Sequence, residues 1–357
     1  MELFWYIVLM LMLAIYIILD GYDFGAGIIH LFFAKKEADK KAITQAIGPF
    51  WDANEVWLIA AGGVLFFAFP TLYASSFSGF YLPLIIILWL LIFRAIGLEL
   101  RHQIHHPIWE AIWDKAFGIA SFLLALFFGV ALGNIVRGVN LGNVVNGVST
   151  QEAHYFFLPL WDASFHPVSE QLGIIDWFTL LLGIIGVVSL TIHGANWIIF
   201  KTNSSINTKL RAVIFKLNIG LSILILISIF SWHVIEEDPF HNFKESPLLI
   251  LFPLICLIGH LGLYRIQKFQ KDGTGFIFSS LFLLGGFIST AMSIFPKVLP
   301  STNAINPSLT IYNVAADEYG LSVGVYWFAI AIVLVAIYFF IQYKVFHGKM
   351  DDVDYGH

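Results

Sequence analysis

Long apolar runs, separated by short polar ones, make up nearly the whole chain. A helix needs about 20 mainly apolar residues to cross a hydrocarbon core of about 30 Å. Nine runs meet that need, at about 3–33, 52–70, 77–98, 115–136, 174–200, 209–234, 247–268, 275–295 and 321–346. They are too long and too continuous for barrel strands, which alternate over about 10 residues. The pattern predicts an all-α polytopic membrane protein, one integral membrane domain over residues 1–357. The first run exceeds a single crossing and is expected to project from the bilayer. The run at 52–70 is the weakest, because Asp52 and Glu55 stand at its start.

Positive charge sets the direction, since cytoplasmic loops collect Lys and Arg. With nine crossings, all but three of the 19 Lys and Arg residues fall on one side, and only Arg137, Lys244 and Lys297 on the other. The N-terminus is therefore expected outside and the C-terminus in the cytoplasm. Two stretches, 137–173 and about 296–320, are expected to be external loops too short to form separate domains.

Composition narrows the function classes. Hydrophobic residues make up 59% and charged residues 12%, with a mean hydropathy of +0.82, where soluble domains carry about 25% charged residues. A net charge of −5 without a basic block speaks against nucleic acid as a partner. The single Cys256 allows no internal disulfide and no cysteine-held metal cluster. Met1-Glu2-Leu3 carries no positive n-region, and the first cation is Lys35, so the first run is expected to be a retained span.

The informative residues are carboxyl groups at membrane depth. Asp20 and Asp23 lie inside the first run, three residues apart and so on one helix face. A carboxylate at mid-span costs on the order of 2.5–3.5 kcal/mol on insertion scales. Two on one face call for a bundle interior, water or a shared proton; the alternative is a polar packing contact near the interface. Asp52 and Glu55 repeat the spacing at the start of the second run, where Asp-x-x-Glu also reads as a capping box. Glu99 ends the third run beside Arg94 and Arg101, and Asp114 opens the fourth. Interfacial charges or helix caps are the plain alternative for both. Alternating crossings bring Asp20, Asp23, Asp52, Glu55 and Glu99 to one membrane level, as a proton-uptake path from the cytoplasm would require.

Histidine points the other way. His30, His193, His233 and His260 lie in spans without the facing arrangement that haem ligation needs. Neither haem ligation nor a metal site is expected within the chain; the His102-x-x-His105-His106 run lacks matching ligands.

These residues resemble subunit II of the cytochrome bd-type quinol oxidases. The matching blocks are Asp20-Gly-Tyr-Asp-Phe-Gly25, Trp51-Asp-Ala-Asn-Glu-Val-Trp57, Phe77-Ser-Gly-Phe-Tyr81 and Phe93-Arg-Ala-Ile-Gly97. Gly133-Asn134, Gly138-Val139 and the loop Ser308-Leu-Thr-Ile-Tyr-Asn313 extend the match. The resemblance implies a haem-free subunit of nine helices, arranged as two four-helix bundles plus one peripheral helix. Its partner would be a haem-bearing subunit I carrying b- and d-type haems, often joined by a small single-span subunit. The complex would oxidise quinol and reduce dioxygen to water in a bacterial plasma (inner) membrane.

Residue by residue, the resemblance implies a proton path through Asp20, Asp23, Asp52 and Glu99. It links Trp57 to oxygen access, and Arg94 and Asp114 to stable haem binding in the complex. Glu55 stands where some members carry an amide, and Glu99 where others carry Asp. A structural quinone or lipid is a candidate ligand. Two alternatives stand beside this reading, a purely structural or assembly subunit and an ion-coupled secondary transporter.

Overall fold

A computed structural model describes the chain except residues 142–143, 146–147, 150–159, 169–171, 237, 266–267, 269–270, 303–306 and 351–357. The middle of the expected external stretch 137–173 and residues 266–267 of the expected run 247–268 therefore lie outside the described residues. In chain order the helices are α1 (Glu2–Phe32), α2 (Glu37–Ile47), α3 (Trp51–Ala68), α4 (Pro70–Gly79), α5 (Tyr81–Leu100) and α6 (Pro107–Arg137). After two short strands, β1 (Val144–Val145) and β2 (Val148–Ser149), come α7 (Trp177–Lys201), α8 (Ile206–Ile235) and α9 (His241–Glu245). A 3-10 turn, Pro247–Ile250, leads into α10 (Leu251–Leu263) and α11 (Gly273–Ile294). The antiparallel pair β3 (Lys297–Leu299) and β4 (Leu309–Thr310) precedes α12 (Glu318–Val345).

Seven of these helices, α1, α5, α6, α7, α8, α11 and α12, are long and apolar enough to cross a membrane. An eighth span arises if α3 and α4 count as one segment, but they meet at 119° across Phe69. Pro70 explains the break: it has no N–H to continue the ladder and instead starts α4 at its first position. The run expected at 77–98 is accordingly divided, with 77–79 in α4, Phe80 between the helices and 81–98 in α5. The run expected at 247–268 is a shorter apolar helix, Pro247–Leu263. The run expected from 115 starts instead at Pro107, because His106 caps α6 by accepting from the Ile108 N–H.

α1 is the central helix, packed against α3, α6, α7 and α11. Its approach to α7 is backbone to backbone. A Cβ on Gly25 would lie 2.0 Å from the Leu190 carbonyl oxygen and 2.7 Å from the Gly194 nitrogen. Without a hydrophobic drive between helices in lipid, such small residues gain contact area by close approach. At the far end of the pair, Asp176 caps α7 by accepting from the Phe178 and Thr179 N–H groups. The same carboxylate pairs with Arg137, the last residue of α6. α12 lies at the edge, and Leu321 is its one buried residue.

Candidate functional site

α1, α3 and α5 converge on a buried ion cluster. The Arg94 guanidinium, 2% exposed, donates through Nη1 to Asp20 Oδ1 and through Nη2 to Glu55 Oε2 at 3.2 Å. Its carbon lies 4.7 Å from the centre of the Phe24 ring, so the aromatic face supplies part of the cation's surroundings. Asp20 is 0% exposed, whereas the Glu55 side chain keeps 22%. One turn further along α1, Asp23 is met by an amide rather than a cation. Asn54 Nδ2 donates to Asp23 Oδ2 at 2.8 Å and to Tyr22 Oη at 2.7 Å.

The charges do not balance. One guanidinium faces three carboxyl groups, and a low-dielectric interior penalises the excess negative charge unless protons are bound. Asp20 Oδ2, Asp23 Oδ1 and Arg94 Nε are buried without a hydrogen-bond partner among the described residues. Such a cluster can exchange protons with groups that reach it, and Glu55 is its most open member.

Asp52 and Glu99 do not join it. Both are exposed, Asp52 on the first turn of α3 and Glu99 on the last turn of α5, and neither forms an ion pair among the described residues. The capping reading of the Asp52–Glu55 spacing also fails. Phe50 is the N-cap of α3, no side chain caps it, and Glu55 turns to Arg94. Trp57, one helical turn above Ala53 on α3, is buried against Phe339 of α12 with ring centres 5.5 Å apart.

Asp114 belongs to a separate network. It accepts from Arg101 Nε at 2.5 Å and Lys40 Nζ at 2.8 Å, with His30 Nε2 at 3.3 Å. It lies two turns inside α6, so it is not the cap expected of a residue opening the span. Glu37 closes the network by accepting from Arg101 Nη2 at 2.7 Å and Lys40 Nζ at 2.8 Å. The Lys40 hydrogen bond, aided by Arg101 and opposed by partial burial, holds the Glu37 carboxyl below its usual value. The five residues tie α1, α2 and the end of α5 to α6.

Two histidines inside spans, His193 and His260, are held by neighbours, while His233 is exposed at the end of α8. His193 places Nδ1 2.8 Å from Ser279 Oγ and Nε2 2.8 Å from the Ile18 carbonyl oxygen. His260 Nε2 lies 2.6 Å from Ser222 Oγ, which is also 2.6 Å from Tyr264 Oη. Both His193 ring nitrogens are engaged, whereas His260 uses only Nε2. Among the described residues, no three His, Cys, Asp or Glu side chains are grouped to hold a metal ion.

Sequence reasoning singled out Asp20, Asp23, Glu55 and Arg94 but overlooked Asn54, Tyr22 and Tyr343, which surround Asp23. Asn54 carried a signal, since an amide between Asp52 and Glu55 in an apolar run needs a partner. Tyr343, 321 positions from Tyr22, carried none.

Comparison with known proteins identifies the family and the fold. The family model for cytochrome bd terminal oxidase subunit II matches residues 1–346. A probable cytochrome oxidase subunit 2 of Haemophilus influenzae is 29% identical, over 97% of this chain and 94% of the relative. The cytochrome bd-I ubiquinol oxidase subunit 2 of Escherichia coli K12 is 28% identical, over 93% and 90%. The cytochrome bd ubiquinol oxidase subunit 2 of Bacillus subtilis is 28% identical, over 89% and 88%. In fold, the chain is similar to the bd oxidase from Geobacillus thermodenitrificans, with a TM-score of 0.59 at 12% identity over 97% of each chain. The apolar helices and the bacterial relatives make it a multi-pass protein of the bacterial inner membrane. It belongs to the cytochrome bd terminal oxidase subunit II family, and is thus one subunit of an oxidoreductase complex.

Proposed function

We propose that this chain is the haem-free subunit of an oxidase that oxidises quinol and reduces dioxygen to water, and that its buried carboxyl cluster takes up protons from the cytoplasm. The b- and d-type haems then belong to subunit I, the partner; a small single-span subunit is a candidate third member. The chain crosses the membrane nine times as one domain, N-terminus outside, in two four-helix bundles plus a peripheral helix. Contacts between consecutive turns support that path: Arg137 meets Asp176 at one membrane face, and Lys209 meets the Phe33 carbonyl at the other.

The observation that carries the reading is the sharing of Arg94 between fully buried Asp20 and partly open Glu55. Asp52 stands one turn before Glu55 on the exposed surface of α3. Protons would enter by Asp52 and Glu99, pass to Glu55, and reach Asp20 and Asp23 beside Arg94. Trp57 borders the route of oxygen access, and Arg94 and Asp114 stabilise haem binding by holding the helices that face subunit I. A structural quinone or lipid is the ligand this chain would take. With chemical protons drawn from inside and quinol protons released outside, turnover builds a proton gradient without a pump.

The test is the quinol oxidase rate of the purified complex carrying Glu55→Gln or Asp52→Asn, with haem content measured from the reduced-minus-oxidised spectrum. Turnover is expected to fall by tenfold or more for Glu55→Gln, in line with loss of a proton-transfer group, while the haem bands remain. Full turnover in both variants would refute the uptake role. A scaffold role is the second reading, favoured by the Asp114 network, which joins four helical segments without an unpaired carboxyl group. Family membership leaves no support for an ion-coupled transporter.

A further inference from the structure

Asn54 lies among three acceptors that compete for its amide. Its Nδ2 has two hydrogens and three acceptors in reach: Asp23 Oδ2 at 2.8 Å, Tyr22 Oη at 2.7 Å and the Leu19 carbonyl oxygen at 3.3 Å. A carbonyl can only accept, so the Leu19 contact places the NH2 end, and not the oxygen, on this side. Tyr22 Oη accepts from Asn54 and shares a hydrogen bond with Tyr343 Oη, 3.2 Å away on α12, in which either hydroxyl can donate; when Tyr22 donates, its single O–H is committed to Tyr343. The Tyr22 ring cannot easily turn elsewhere. It stacks on Trp197 with centres 4.0 Å apart and planes at 14°, and Trp197 is anchored by Nε1 to the Ala46 carbonyl at 2.9 Å.

Tyr343 is unusual on its own helix. The most apolar window of α12 has no buried residue, yet Tyr343 turns inward against Phe50, 5.0 Å between ring centres. The adjacent Gln342 donates to the Pro49 carbonyl at 2.8 Å. The edge helix therefore reaches the two residues just before α3 by two neighbouring side chains.

We propose that Asn54 is a positioning residue for Asp23, and that Tyr343 on α12 sets the orientation of its amide through Tyr22. If the Tyr343 hydroxyl is removed, the Tyr22 O–H is free to donate to Asn54 Oδ1. The long 3.3 Å Leu19 contact and Asp23 itself then hold the NH2 end against the pull of Tyr22. When the amide turns its oxygen, Asp23 exchanges a hydrogen-bond donor for an acceptor, and a carboxyl group responds to that exchange in its proton affinity. An amide does not pass protons readily, so the Tyr343–Tyr22–Asn54 chain orients Asp23 and is not itself a conduit. The charged and titratable groups around Asp23 are Asp20 and Tyr22 on α1, Arg94 on α5 and Tyr343 on α12. Glu55 on α3 reaches the cluster through Arg94, and His193 on α7 lies 6.3 Å from the Tyr22 ring.

The inference rests on Asp23 being a proton-handling group, and the experiment separates the two claims. The quinol oxidase rate of the purified complex is followed against pH for the parent, Tyr343→Phe, Asp23→Asn and the double variant, with haem content as the assembly control. Tyr343→Phe keeps the ring and its contact with Phe50. It is expected to retain haem, lower turnover several-fold and displace the pH profile by on the order of one unit, as a changed hydrogen bond to a carboxyl group does. In the Asp23→Asn background the same substitution is expected to displace nothing further.

A Tyr343→Phe profile superimposed on the parent overturns the proposal, and so does an equal displacement with and without Asp23. Parent-like turnover in Asp23→Asn instead overturns the uptake reading. If Asp23→Asn reduces haem content, Asn54→Ala replaces it in the cycle, because an effect carried by Asn54 vanishes there too.

Discussion

Two regions of the bundle bury polar groups in opposite ways. Where α1, α3 and α5 meet, the buried groups are ionic: Asp20, Asp23 and Glu55 around Arg94. Where α7, α8, α10 and α11 meet, the paired groups are neutral, although Asn218 Oδ1 and His260 Nδ1 are buried without a partner among the described residues. His193 is held by Ser279 and the Ile18 carbonyl, and His260 by Ser222, with Asn218 donating to the His260 carbonyl at 3.3 Å. A neutral hydrogen bond contributes about 0.5–1.5 kcal/mol and asks nothing of solvent. A buried ion cluster carries a desolvation penalty of several kcal/mol per ion, which its internal attraction only partly offsets. Stability alone gives little reason to keep the ionic arrangement. The contrast is in keeping with packing in the second region and with the proton uptake proposed for the first.

Removing the cation should separate the regions most sharply. Arg94→Met strands Asp20 and Glu55 in the interior, and one-sided loss of a buried pair costs about 3–5 kcal/mol. The complex is expected to lose haem or melt at much lower temperature, and Arg94→Met with Asp20→Asn should recover part of the loss. Haem content and the melting curve of the purified complex check both. A single variant as stable as the parent would mean that Arg94 is not the keystone of the ionic region.

In the neutral region, Ser279→Ala leaves His193 Nδ1 without its partner, at a cost of about 1–3 kcal/mol. Melting is expected to shift down while the pH profile of turnover stays unchanged. A displaced profile would erase the distinction drawn here, because it would give His193 a share in proton delivery.

The smallest effect belongs to the clasp around Asp114. The Glu37 carboxyl sits below its usual value, chiefly because Lys40 donates to it. Its contribution to stability is therefore present above pH 4.5, the usual value, and is lost as pH falls through the folded-state value. The side chain is 66% exposed, so screening keeps the contribution within a few tenths of a kcal/mol. Melting curves of Glu37→Gln and parent should differ slightly at neutral pH, less at high salt, and coincide in strong acid. A difference that grows in acid would reverse the sign of this ion pair.

Much of the architecture was legible because lipid imposes a simple demand. Every backbone group in the hydrocarbon region must be satisfied internally, so a span announces itself as a long apolar run. That logic located α1, α7, α8, α11 and α12 within a few residues. It faltered where local stereochemistry interrupts hydrophobicity: at Pro70, which turns the chain between α3 and α4, and at Pro107, which starts α6 before its apolar portion. The cluster was legible in part. Asp20, Asp23 and Arg94 attract notice because charge is costly there, but pairings depend on how each helix is rotated. Asp52 and Glu55 share a spacing and a helix face, yet the deeper Glu55 meets Arg94 while Asp52 stays exposed. Arg94 and Asp114, joined by resemblance, lie in different networks.

From composition and run length alone, the chain had to be a helical membrane protein, and its acid residues at depth had to find company, because hydrocarbon solvates neither a bare peptide group nor a bare charge. Which partners they found was decided by tertiary packing. The touching of α1 and α7 at Gly25 and Gly194, the meeting of Arg94 with Asp20, and the reach of Tyr343 across 321 positions to Tyr22 all join distant parts of the chain. Side-chain hydrogen bonds act over about 3 Å, and only the folded arrangement of helices brings such groups within that distance.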